Sequence, residues 1–311
     1  MNPDNRKLGF PVMQQRIPHD QVQRDFDPHF FADYAIFSGA LRHYVARSLE
    51  DVFKGDPNDI HRRFLILGLY REEYAAYEDM GAILEAFIRF RKGELAFPLE
   101  GIVRYKDDKV VLETLFSRRG ICSADDLFVA LGLQACIPAD WQSVHPKINC
   151  ETVLKRMCRF IFIDCQANQK RYGIDAYNRI KHGLAFVPNG NRYQRDLPNS
   201  PAVLILNREQ RSPNPYALLG LPMDDSKLEE RAKLIEFIQS TLRALVAFYL
   251  IGQYSDFLRE NRQISPAATL FNLLPLMPVR DFMQQLSEKP EPSPSMPSNA
   301  RVQPTPASGR G

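Results

Sequence analysis

Between residues 60 and 88 the side chains of Ile60, Phe64, Leu67, Tyr70, Tyr74, Tyr77, Ile83, Leu84, Phe87 and Ile88 recur at the spacing of one helix face. Asn58 or Asp59 can cap the start of this run, and Lys92-Gly93 ends it, so the spacing predicts a helix of about nine turns. No short neighbour covers an apolar stripe of that length. The chain must bring other helices against it end to end, which commits the fold to a bundle.

Helical spacing dominates the rest of the chain as well. Phe31, Tyr34, Ala35, Leu41, Tyr44, Val45 and Leu49 predict one helix over 30–53, closed by Lys54-Gly55-Asp56-Pro57. Residues 94–149 are punctuated by Pro98, Gly101, Gly120, Gly132, Pro138 and Pro146 and fit short helices. One of these starts at Asp107 or Asp108 and runs through Leu115; another is capped by Ser123, with Asp126 three residues on, and stops at Gly132. Asn149 opens a longer run through Val153, Met157, Ile161 and Cys165, which continues or breaks near Gly173 before a helical Ala176–Lys181.

Leu184–Val187 and Ala202–Leu206 are short apolar runs separated by a polar loop, a β-hairpin pattern. The capping box Ser226-Lys227-Leu228-Glu229 then opens a helix reaching about Leu258, apolar almost all round between Ala244 and Ile251 and therefore the most deeply buried. A further short helix covers Pro266–Leu274, and from Pro290 onward Pro, Ser, Asn and Gly give a disordered tail. The expected fold class is all-α: a helical bundle with a small β-hairpin insertion before the last main helix and a disordered C-terminal tail. Its domains are an irregular N-terminal segment (1–28), a helical bundle (29–275), and a short helix followed by the Pro/Ser-rich tail (276–311).

Composition narrows the function. With 44% hydrophobic residues the chain can build a core without disulfides or structural metal. Forty Lys and Arg against 37 Asp and Glu leave a formal +3, too balanced for a protein that coats nucleic acid by overall charge, so any basic surface must be local. The most apolar window, Leu242–Ile251, holds ten residues and includes Arg243, short of a membrane span, and Met1–Gln15 lacks the apolar core of a secretory signal. The reading is a cytoplasmic protein. An odd count of five cysteines suits a reducing compartment, and Cys150, Cys158 and Cys165, eight and seven apart, read as small buried residues on one helix face.

Gly-rich phosphate loops and the local motifs of Ser or Cys nucleophiles are missing, so no nucleotide cofactor is expected. Glu72, Glu73, Glu78, Asp79 and Glu85 crowd the second helix without the Glu-x-x-His pairs of a two-metal bundle. They read as an exposed acidic face. No metal and no other cofactor is assigned.

Tyr177-Asn178-Arg179-Ile180-Lys181-His182-Gly183 is the most suggestive stretch. On a helix, Asn178 and His182 are four apart and Arg179 and His182 three apart, so all three share a face with Lys181 beside them. Arg and Lys there attract phosphate, Asn offers a hydrogen bond, and His moves a proton near neutral pH. That is the chemistry needed when a ribose hydroxyl attacks its own phosphodiester. A plainer reading carries similar weight: Lys181 and His182 complement the dipole of a helix end, and Gly183 supplies the left-handed stop. The surroundings favour a site, since residues 150–195 hold nine basic and three acidic side chains, a local +6 that includes Arg171 and suits RNA or an acidic partner. Tyr172, Tyr177 and Tyr193 are candidates for stacking on bases, although tyrosines at helical spacing more often pack.

A long helix pair, the YNRIKHG helix end, a hairpin and a final apolar helix together resemble the HEPN superfamily of helical bundles, over roughly residues 58–258. The likeness is to divergent members whose helix ends in Lys-His-Gly. It implies an RNA-facing protein, either a metal-independent endoribonuclease commonly assembled across a homodimer or its catalytically degenerate RNA-binding relative. Carried over, His182 matches the catalytic His and Asn178 the polar residue, with Arg179, Lys181 and Arg171 toward RNA phosphate. The family's catalytic Arg falls at Tyr177, which lacks its permanent charge. The alternative is a non-catalytic helical interaction or dimerisation module in which YNRIKHG is only a helix cap.

Overall fold

The computed structural model of the chain describes residues 17–36, 41–55, 59–104, 112–172, 186–188, 202–207, 216–220 and 225–262. Helices carry the fold, and the class is all-α. In chain order they are α1 (His19–Gln21), a π-helical turn (Val22–Phe26), α2 (Asp27–Ile36), α3 (Leu41–Gly55), α4 (Asp59–Arg91), α5 (Pro98–Val103), α6 (Leu112–Arg119) and α7 (Ala124–Ala130). A 3-10 turn (Leu133–Cys136), α8 (Trp141–Val144), α9 (Cys150–Arg159), a second π-helical turn (Phe160–Cys165), α10 (Gln166–Tyr172) and α11 (Asp225–Arg262) complete the set. Three short antiparallel strands, β1 (Phe186–Pro188), β2 (Ala202–Asn207) and β3 (Tyr216–Gly220), follow α10 in the order β1-β2-β3, with Phe186 opposite Leu204 and Ile205 opposite Leu218.

Helix α4 is the spine. Its 33 residues reach about 50 Å at 1.5 Å per residue, and α3, α5, α6 and α11 pack along it. The stripe that predicts this helix is what those neighbours cover: Tyr70, Tyr77, Met80, Leu84 and Ile88 are all 1% exposed or less. Opposite lies α11, in which every residue from Thr241 to Ile251 is buried, as its all-round apolar composition requires. Between the two, the Phe87 ring stacks on Tyr249 with centroids 4.5 Å apart, and Phe31 of α2 meets Tyr249 edge-on at 5.2 Å.

The stretch Glu229–Tyr254 of α11 is long and apolar enough to cross a membrane by length and composition, a longer run than the ten-residue window suggests; 78% of its most apolar part is buried inside the protein. The helix occupies the place that the core of a bundle requires.

Local chemistry sets the short elements. Ser123 Oγ accepts the Asp126 backbone N–H at 3.0 Å to cap α7, and Gly132, at φ +63°, ends that turn in the left-handed region. Asn149 Oδ1 accepts the Thr152 N–H at 2.9 Å to start α9. Trp141 is buried, and its indole N–H donates to the Ile148 carbonyl at 2.8 Å, fixing the turn after α8. Cys150, Cys158 and Cys165 share the buried face of α9 and the π-turn with Val153, Leu154, Met157 and Ile161.

Three expectations are revised. The helix expected over 30–53 is two, α2 ending at Ile36 and α3 beginning at Leu41; apolar spacing stays in phase across such a break and cannot reveal it. The segment up to residue 28, expected to be irregular, is helical from His19, and buried Asp27 pins it to the body. Helix α6 starts at Leu112, later than Asp107 or Asp108. The expected helix over 266–274 and the tail from 290 lie outside the described residues.

Candidate functional site

The chain approaches the YNRIKHG element through α9, the second π-turn and α10. Asn178, Arg179, Lys181 and His182 themselves lie outside the described residues, as do Tyr177 and Tyr193. Arg171 and Tyr172 are backbone positions in the last turn of α10. Among the described basic residues leading there, Lys155 is engaged: its Nζ lies 2.8 Å from Glu151 Oε1, four residues earlier, and 5.6 Å from the centre of the Phe128 ring. Arg156 keeps one buried guanidinium nitrogen, Nη1, with no hydrogen-bond partner within the chain. Part of the local positive charge is thus spent on the helix surface itself.

The base of this arm is a buried polar cluster on α4. Glu73 is 1% exposed and forms an ion pair with Arg231 of α11, whose guanidinium also lies over the Tyr70 ring, 3.9 Å from its centre. One residue on, the Tyr74 hydroxyl donates weakly to the Gln169 carbonyl of α10 at 3.4 Å. The Gln169 side chain is itself buried, and its Oε1 accepts the Leu112 backbone N–H at 2.7 Å, tying α10 to the first residue of α6. Tyr77 completes the group, with a buried hydroxyl that has no partner within the chain. Burial pushes the Tyr77 phenol well up, and the charge of Glu73 adds to it. The Cys165 thiol beside them is driven up by burial, then by Asp164 and Glu73. Groups held in these protonation states cannot serve as nucleophiles near neutral pH.

The acidic run on α4 is not the exposed face that its charge density suggests. Glu72 and Glu73 are 5% and 1% exposed, and arginines from three other elements reach the run. Arg42 of α3 bonds to Asp79 through two nitrogens and to Glu72 at 3.2 Å. Burial opposes the charge of Arg42, but its hydrogen bond to Asp79 and the fields of Asp79 and Glu72 outweigh that and raise its pKa. Arg119 of α6 bridges Glu85 at 2.6 Å and Glu94 at 2.7 Å. With Arg231 on Glu73, these contacts join α4 to α3, α6 and α11.

Sequence reasoning passed over this cluster, yet a signal existed. Glu73 falls between Tyr70 and Tyr77 on the apolar stripe, and Arg231 continues backward the stripe of Ile235, Ile238 and Leu242. A charge at a stripe position is a buried charge in search of a partner. Among the described residues no group of three or more His, Cys, Asp and Glu is placed to hold a metal ion. What this constellation does chemically is hold three helices in fixed positions at the foot of the motif-bearing arm.

Comparison of the chain with family models, with curated proteins and with solved structures finds no match.

Proposed function

We propose that this chain is a cytoplasmic, RNA-facing bundle of the HEPN type, acting as a homodimer, and that residues 177–183 are its working element. In this reading His182 is the general acid or base of a metal-independent ribonuclease, Asn178 orients it, and Arg179, Lys181 and Arg171 meet phosphate. The small sheet would then be the hairpin insertion expected before the last main helix of such a bundle. The observation that carries the reading is the spacing of Asn178, Arg179 and His182 on one helix face within a segment of local charge +6. Two features of the fold support it: the body is an all-α bundle, and α10 is helical through Tyr172, five residues before Tyr177.

Cleavage of a mixed RNA pool without divalent metal tests catalysis. Wild type should cleave and His182→Ala should not; equal behaviour removes the catalytic version. The binding version requires RNA affinity that falls steeply with salt and weakens in Arg179→Ala with Lys181→Ala.

Tyr177, standing where the family has its catalytic Arg, favours a second reading: a non-catalytic interaction module whose YNRIKHG stretch ends a helix. Here His182→Ala or Gly183→Ala should lower stability by about 1 kcal/mol and change no RNA-related activity.

A further inference from the structure

We infer that Glu73 and Tyr74 of α4 anchor both ends of the motif-bearing segment, and that Arg231 and Gln169 are positioning residues for it. The segment in question runs from 173 to 224, between the end of α10 and the start of α11, and contains residues 177–183 and the three strands. On its upstream side the nearest described buried side chain is Gln169. Downstream, Glu229 and Glu230 are exposed and Arg231 is the first described buried residue. These two positions, on either side of a long excursion, meet consecutive residues of the same helix: the Tyr74 hydroxyl reaches the Gln169 carbonyl, and Glu73 pairs with Arg231.

The chemistry of the pair suits positioning better than general stabilisation. Two charges taken out of water gain little net stability, because desolvation offsets their attraction. Such a pair is satisfied, however, in only one axial register of the helices that carry it, whereas leucines would tolerate a slide by a turn. The Arg231 guanidinium stacked on Tyr70 narrows the choice further, since its plane as well as its charge must match. Helix α10 is held from a second side by the Gln169 side chain on the Leu112 N–H. Exit and return are therefore set by one turn of α4, and fixing the ends of a long segment removes conformations from everything between them.

The inference rests on the proposed function only in treating residues 177–183 as the working part. Its test is hydrogen exchange on the full chain carrying Glu73→Met together with Arg231→Met, an apolar pair that leaves no buried charge unmatched. Peptides from 173–224 should exchange at least tenfold faster than in wild type, while α4, α9 and α11 beyond Ile235 keep their protection. Unchanged exchange within 173–224 overturns the proposal, and so does an even acceleration across the whole protein. Should the double variant not fold, Arg231→Lys keeps the charge but not the planar stack on Tyr70, and is read against the same outcomes. RNA binding by wild type is measured in parallel. Its absence ends the RNA reading and leaves the anchor standing, whereas unchanged exchange ends the anchor whatever the RNA result.

Discussion

The Tyr254 hydroxyl donates a 2.7 Å hydrogen bond to Asp27 Oδ2, and Tyr254 is the residue at which α11 leaves helical geometry, with φ −127° and ψ 33°. Asp27 is fully buried and also accepts from the Leu99 N–H at 2.9 Å and the Tyr249 hydroxyl at 3.3 Å. One carboxylate thus joins the N-terminal helix, α5 and the bend of α11.

Burial raises the pKa of Asp27 above 3.8, outweighing the hydrogen bonds from Tyr254, Leu99 and Tyr249 that lower it. The folded chain therefore holds this proton more tightly than the unfolded chain does. Its contribution to stability is complete below the unfolded value and is lost as pH rises through the folded one. Asp27→Asn removes the titration and leaves a buried donor poorly matched, at a cost of about 1–3 kcal/mol. In urea unfolding, wild type should gain on Asp27→Asn as pH falls from 7 toward 4; a gap that narrows would contradict this assignment.

Removing one partner of the Glu73 and Arg231 pair strands the other in the core. Arg231→Met or Glu73→Met alone should cost about 3–5 kcal/mol, while the double change should be near neutral or stabilising. A double-mutant cycle by chemical denaturation reads the coupling directly, and simple additivity would show that the two do not act as a pair.

Gly252 is where α11 passes closest to the 3-10 turn. A Cβ there would stand 2.6 Å from Cys136 Sγ and 3.0 Å from Cys136 Cα. Gly252→Ala should lower stability by about 1–3 kcal/mol. Adding Cys136→Ala should recover only part of that, because the backbone contact persists. Full recovery in a thermal melt would place the whole clash at the sulfur.

Thiol reactivity should separate the five cysteines, all of them free thiols. Burial pushes Cys150 and Cys158 up to about 12 and raises Cys136 and Cys165 as well, whereas Cys122 is exposed. A chromogenic disulfide reagent at pH 8 should titrate one thiol in the native protein and five in denaturant. A second fast native thiol would mean that one of the buried positions opens.

Much of the helical body was legible in the sequence because it depends on neighbours close in the chain. The caps at Ser123 and Asn149, the cysteine face of α9 and the buried centre of α11 all follow from spacings of three, four and seven. The buried ion pairs did not follow, since their partners are remote: Arg231 is 158 positions from Glu73, and Arg42 is 37 from Asp79. Local charge density made α4 look solvated when its acids face arginines from three directions. Of the candidate site, the spacing of Asn178, Arg179 and His182 is a sequence property; its surroundings lie outside the described residues, and only Arg171 of the named group falls within a described helix.

The double attachment at Glu73 and Tyr74 has a consequence for how this protein can change over generations. With departure and return fastened to one turn of the spine, whatever is carried between them can lengthen, shorten or be exchanged while the helices beneath keep their packing, since each doubling of a loop costs only about 0.6 kcal/mol in closure entropy. The bundle is then a socket, and residues 173–224 are the part that selection is free to rewrite.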